Sequence, residues 1–292
     1  MNTQSNAIPE SPQPFYWSVR RELWENRSIY IAPLAVAGIT LFGFVIATLG
    51  RALSVRDLAQ RRAVLEEPYT FASLVLMFTT FIVGIFYCLD ALHGERRDRS
   101  ILFWKSLPVS DVTTVLAKAS IPLVVLPLLT FAITVALQLI MVLLSSAVML
   151  ASGQSPAALW AQLSPFQMSL LLYHLVTVHG LYYAPIYAWL LLVSGWARRA
   201  AFLWAGLPLL AIGVVEKIAF NTSHFAAMLG SRVTGGAGAA DYPMPNSVAM
   251  HHGLALLTLG EFLISPGMWL GLAVAAAFLA GAVRLRRYQG PI

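Results

Sequence analysis

"IPLVVLPLLTFAITVALQLIMVLLSSAVML" (residues 121–150) runs thirty residues without one charged side chain. About 20 apolar residues in a helix already cross roughly 30 Å of hydrocarbon, so this stretch places the chain in a bilayer. The whole composition agrees. Of 292 residues, 58% are hydrophobic and 11% charged, with a mean hydropathy of +0.72. A soluble domain carries roughly a quarter charged residues. The net charge of +6 is too scattered for a nucleic-acid face, because its Arg and Lys sit in short clusters beside apolar runs.

Five further stretches of spanning length flank the first, at 29–50, 69–92, 169–195, 200–219 and 266–283. The sequence therefore predicts an all-α polytopic membrane protein with six spans. The third, taken as 117–150, is overlong. It calls for a tilt, a kink at Pro122 or Pro127, or an extension beyond the bilayer. In the last, Gly267 with Gly271 and Ala277 with Gly281 have the spacing that lets helices approach closely, although small residues are also simply common in spans.

Loop charges set the orientation. With both termini cytoplasmic, Arg20, Arg21, Arg27, Arg96, Arg97, Arg99, Lys105, Lys118, Arg198, Arg199, Arg284, Arg286 and Arg287 lie inside. Arg51, Arg56, Arg61, Arg62, Lys217 and Arg232 lie outside. The majority favours N-in, C-in in a cell membrane, the inner membrane if the source is bacterial. Four arginines in the first outer loop run against the rule, with Asp57, Glu66 and Glu67 close enough in sequence to pair with them.

Residues 1–14 read as a polar, disordered tail without the shape of a signal peptide, and 15–292 as one membrane domain. The segment FYWSVRRELWENR (15–27) is amphipathic as a helix. Ser18, Arg21, Glu22 and Glu25 share one arc; Phe15, Tyr16, Val19 and Leu23 fill the other. It is expected to lie in the inner headgroup layer with its arginines reaching for phosphate. Between spans five and six, TGGAGAADYPMPNS cannot be regular helix. The following VAMHHGLALLTLGEFLI (248–264) suits a re-entrant segment dipping in from outside.

The inner loop between spans two and three is the most charged stretch: ERRDRSILFWKSLPVSDVTTVLAK (95–118). Ser100 is placed to cap a short helix over Ile101–Leu107, stopped by Pro108, and Ser110 to cap the next. Aromatic and aliphatic anchors ringed by charge suit a protein-docking plug. A helix lying flat under its own bundle fits as well.

This run resembles the cytoplasmic loop of type 2 ABC transporter permeases, in which a charged cluster leads into a short coupling helix, an "LPVS" turn and a "VLAK"-like entry to the third span. The resemblance implies an N-terminal elbow helix, six spans, helices dipping into the membrane before the last span, and pairing of two copies, most simply as a homodimer. It also implies docking of each coupling helix on a separate ATPase subunit that holds ATP and Mg, and export in preference to import. By that likeness the docking residues are Glu95, Arg96, Arg97, Asp98, Arg99, Ile101, Leu102, Phe103, Trp104, Leu107 and Pro108. The substrate carries no signature.

No GxxxxGK[ST] run exists to cradle phosphates; the only lysines are Lys105, Lys118 and Lys217, none after a glycine. ATP hydrolysis is expected on a partner chain, and neither catalytic residues nor a cofactor are expected here. His174 and His179, five apart, are offset on a helix and make a poor metal pair. Tyr173, Tyr182, Tyr183 and Tyr187 are candidates for lining a substrate path, or for simple packing. Asp90 is expected in a salt bridge at the membrane edge, and Glu216 and Lys217 at the opposite interface. His224, Asp241, His251, His252 and Glu261 would be the residues of a rival membrane metalloenzyme, though no HExxH accompanies them. A sensory or anchoring subunit without transport is the third class.

Overall fold

A computed structural model describes residues 14–52, 58–151, 180–233 and 266–292, with four single positions between 152 and 160. All regular structure among the described residues is helical. It comprises α1 (Pro14–Glu25), α2 (Ser28–Ala52), α3 (Leu58–Ala91), α4 (His93–Arg97), α5 (Ile101–Ser106), α6 (Asp111–Ser120), α7 (Leu126–Ala151), α8 (Ala184–Trp196), α9 (Ala201–Phe220), α10 (His224–Val233) and α11 (Pro266–Tyr288).

Five helical stretches are long and apolar enough to cross a membrane: Ser28–Thr48, Phe71–Arg97, Asp111–Ala151, Ala201–Phe220 and Pro266–Tyr288. The chain is thus a multi-pass membrane protein. Their outward faces remain apolar and exposed, with Ile39, Phe42, Phe78, Phe86, Leu210 and Ile218 among them, as a hydrocarbon solvent requires. Of the expected fourth span only the last part is described, ending in the 13-residue apolar helix α8. The tail through residue 13, residues 53–57 of the first outer loop, Tyr173, His174, His179 and the expected re-entrant piece at 248–264 lie outside the described residues.

The overlong span carries a local irregularity. A π-helical turn, Ile121–Val125, joins α6 to α7 and contains Pro122. Proline lacks the amide for the regular ladder and clashes with the carbonyl four residues earlier, so one wider turn relieves it. Residues 180–182 form a second π-helical turn, and a Cβ on Gly180 would stand 2.7 Å from the Leu123 carbonyl oxygen of the first. Only glycine lets the two turns meet so closely.

The bundle has two main cores. One gathers Ile29, Tyr87, Cys88, Ile121, Leu126, Tyr187 and Leu191 from α2, α3, α7, α8 and the first π-turn. The other gathers Phe44, Tyr69, Leu76, Leu137 and Met141 from α2, α3 and α7. α11 lays a stripe of Met268, Gly271, Ala275, Ala282 and Arg286 inward and packs along α8. Of the four small residues singled out in the last span, Gly281 faces Leu192 and Gly271 faces the Arg232 guanidinium, whereas a Cβ on Gly267 would meet open space and Ala277 is exposed.

Candidate functional site

The charged loop begins where α3 runs out. α4 and α5 are too short to be stable alone, so other helices must hold them. Ser194 of α8 accepts the Leu92 and His93 amides at 3.0 and 2.8 Å. Arg96 returns the favour, donating Nη1 to Gly195 O at 2.6 Å and to Ala197 O at 3.4 Å. A cation on the last carbonyls of α8 also complements the helix dipole. Arg96 Nε further donates to Gly290 O at 3.2 Å, and Lys105 Nζ donates to Gln289 O at 3.1 Å and Arg287 O at 3.4 Å. The loop is stitched to the ends of α8 and α11.

Below it lies a buried ionic cluster. Glu22 of α1 is 1% exposed. Its Oε1 accepts from Lys118 Nζ at 2.8 Å and from Arg21 Nη2 at 2.7 Å, and its Oε2 accepts from the Tyr87 hydroxyl at 2.8 Å. Glu95 Oε1 stands 3.1 Å from Lys118 Nζ and 3.3 Å from Arg21 Nη2. Its Oε2 pairs with Arg286, whose Nε is 3.2 Å from Asp111 Oδ1. Three acids (Glu22, Glu95, Asp111) therefore meet three bases (Arg21, Lys118, Arg286), and α1, α4, α6 and α11 converge on one neutral knot. Burial alone would raise the Glu22 carboxyl. Lys118 and then Arg21 outweigh it and hold that carboxyl below the usual range.

Such a knot adds little net stability over an apolar core, since desolvating six ions consumes most of the Coulomb gain. Its strength lies elsewhere. Each acid shares its bases, so none of the four helices can slide without stranding a buried charge.

The residues singled out in the charged loop divide into two sets. Glu95, Arg96 and Ile101 are buried within the chain, the first two in the contacts above. Arg97, Asp98 and Arg99 are exposed. Arg97 pairs with Asp98 at 3.0 Å and with Asp90 at 3.7 Å, so Asp90 has its salt bridge at the helix end, on a surface where such a pair is worth little. On α5, Leu102 and Phe103 are 59% and 60% exposed, and Leu107 and Pro108 are exposed beside them. Trp104 is half-buried: its ring packs edge-on against Phe103 and takes the Arg21 guanidinium at 3.9 Å on its face. An exposed apolar ridge thus stands on a root made of Ile101, Trp104 and the ionic knot. Beside it an open groove between α1 and the α5–α6 turn is lined by Trp17, Arg21, Trp104, Leu107 and Val109.

Three local expectations need correction. Ser100 does not cap α5: its backbone is already helical, and its hydroxyl donates back to Glu95 O at 3.4 Å. α5 also ends at Ser106, because Leu107 before Pro108 is extended (φ −81°, ψ 149°). Ser110, in contrast, caps α6 through Thr113 N at 3.0 Å. In α1, Arg21 turns inward to carboxylates instead of outward to phosphate. The polar arc faces protein while Phe15, Tyr16, Trp17 and Trp24 face out. Arg20 lies over the Trp24 ring at 4.5 Å.

Tyr182, Tyr183 and Tyr187 are buried inside the chain. The Tyr183 hydroxyl donates to Val233 O at 3.0 Å, and Tyr187 packs against Gly84 so closely that a Cβ there would stand 2.9 Å from its ring. Glu216 accepts the His224 and Phe225 amides at 2.7 and 2.9 Å and so caps α10. Of the rival metal set only His224 is described, and no group of three metal-ligating residues occurs among the described residues.

Sequence reasoning missed Glu22, Lys118, Asp111 and Arg286 as partners. The available signal was ionisable residues at or inside apolar spans, each of which implies a partner by its cost alone. Comparison with family models, with curated proteins and with solved structures finds no match.

Proposed function

We propose that this chain is the membrane-spanning subunit of an ATP-driven exporter of the type 2 ABC permease kind, working as a homodimer with a separate ATPase that binds ATP and Mg. In this reading α1 is the elbow helix, α5 is the cytoplasmic coupling helix, both termini are cytoplasmic, and residues 169–195 complete six spans with a re-entrant piece before the last. The observation that carries the reading is the ridge of Leu102, Phe103 and Leu107 raised on a braced root. An apolar ridge in water is unfavourable unless a partner covers it. A docking element must also transmit force, and a helix pinned by Arg96, Lys105 and the ionic knot moves only together with α1, α6 and α11.

Closure of two ATPase subunits would then push both α5 helices. The displacement would pass through Glu95 into α1 and α6, and through Arg286 into α11. Spans on either side of the loop would tilt together and open a path to the other face.

Co-expression with candidate ABC ATPases from the same genome tests the idea. Leu102→Ala with Phe103→Ala should weaken copurification by about 2–4 kcal/mol, as aromatic hot spots do; undiminished association would end the docking assignment. Orientation has an independent test, because Cys88 is the only cysteine and is buried. A Phe103→Cys chain carries one accessible thiol, and labelling from the cell exterior alone would reverse the topology.

A further inference from the structure

The charged end of the bundle holds more bases than it can neutralise. Its acids are Glu22, Glu25, Asp90, Glu95, Asp98 and Asp111, and each already pairs with Arg21, Arg97, Lys118 or Arg286. Arg198, Arg199, Arg284 and Arg287 are exposed and have no carboxylate partner among the described residues. Arg198 and Arg199 follow α8, and Arg284 and Arg287 lie in the last turns of α11, two segments that meet at one corner. The Arg96 guanidinium binds both Ala197 O, just before Arg198, and Gly290 O, just after α11. The turn between α8 and α9 and the end of α11 are therefore one guanidinium apart.

A groove opens at that corner between α8 and α11. Leu192, Gly281, Leu285, Arg284, Tyr288 and Gln289 line it. Residues 281, 284, 285 and 288 recur at helical spacing, so one face of α11 forms its floor. The lining surface is mostly apolar with Arg284 at its edge. Tyr288, one of the lining residues, is an aromatic suited to a headgroup layer and largely exposed; further along the chain from Leu192, Trp196 packs edge-on against Trp204 with ring centroids 4.9 Å apart.

We propose that this groove binds an anionic phospholipid. One acyl chain lies along Leu192, Gly281 and Leu285, and the phosphate sits among Arg284, Arg198 and Arg199. The charge count argues for an anion, and the apolar floor argues for a lipid over a free phosphate. The assignment needs only the packing of α11 along α8, and it stands whether or not the chain exports anything.

The test uses the full chain purified in detergent, with melting followed as phosphatidylglycerol, phosphatidylcholine or inorganic phosphate is added, and native mass spectrometry of retained lipid. Phosphatidylglycerol should raise the melting temperature and be retained preferentially, since a ligand bound to the folded state stabilises it by mass action. Arg284→Gln and Arg198→Gln should each reduce that preference roughly fivefold. Arg284→Lys should keep most of it. Arg20→Gln, on α1 away from the groove, should leave it unchanged. Equal retention of both lipids would overturn the site. So would an Arg20→Gln loss equal to that of Arg284→Gln, which would mean diffuse surface charge. Displacement of the lipid by inorganic phosphate at equal concentration would overturn the lipid assignment, and so would a dimer in which phosphatidylglycerol has no effect because the groove is covered.

Discussion

Buried polar groups occur at two levels of this bundle, and they obey different rules. In the middle they are neutral. Thr80 meets Thr130, the Gln138 amide donates to Ser73 Oγ at 2.9 Å, and the Tyr69 hydroxyl stands 3.2 Å from Ser145 Oγ. Thr80 and Ser73 also donate to the carbonyl four residues back, so each hydroxyl keeps a partner if the other helix moves. At the charged end, Glu95 and Lys118 have no such local fallback, and Glu22 has only its neighbour Arg21. Their other partners lie on other helices, as far as 191 residues away in sequence. The middle tolerates sliding; the charged end resists it.

The sharpest way to break this contrast is Lys118→Met. It strands Glu22 and Glu95 together and should cost about 3–5 kcal/mol, read as a large fall in melting temperature. Adding Glu22→Gln should recover part of that loss, because the second change removes the charge left unpaired. A Lys118→Met chain as stable as the parent would erase the distinction.

Acid is a gentler probe of the same knot. The folded-state value of Glu22 is depressed, so its contribution is complete above the unfolded carboxyl value of roughly 4.3. It is lost as pH falls further, through the folded value. Melting temperature should therefore drop below about pH 4, and Glu22→Gln should flatten that part of the profile. A parallel profile in the variant would assign the acid sensitivity to other carboxylates.

The smallest effect belongs to the middle. Thr80→Val removes the interhelical hydroxyl pair and keeps the shape, so the expected cost is about 0.6 kcal/mol. A cost near that of Lys118→Met would make both levels equally rigid.

The two levels were also unequally visible in the sequence. Five helices of spanning length could be read from apolar length alone, and Ser110 from its place before a helix-forming run. The Asp90 pairing followed from charges within one loop. The knot could not be read this way. Its members are separated by long stretches of chain, and no periodicity links Glu22 to Lys118 or Glu95 to Arg286. Amphipathic reasoning even misdirected α1. It sent all arginines outward, when the neighbours of Arg21 turned out to be carboxylates and an indole. Ser100 failed for a related reason: its own backbone is already helical (φ −64°, ψ −18°), so it lacks the extended geometry of a cap.

The grip of Arg96 and Lys105 on the end of α11 and the segment after it falls on main-chain oxygens, at Arg287, Gln289 and Gly290. Every amino acid supplies the same oxygen, so the spelling of that segment is free while its spacing is fixed. Exchanging Gln289 for another polar residue leaves the latch closed. Inserting one residue at that point would shift the carbonyls out of reach and release the loop from its neighbour.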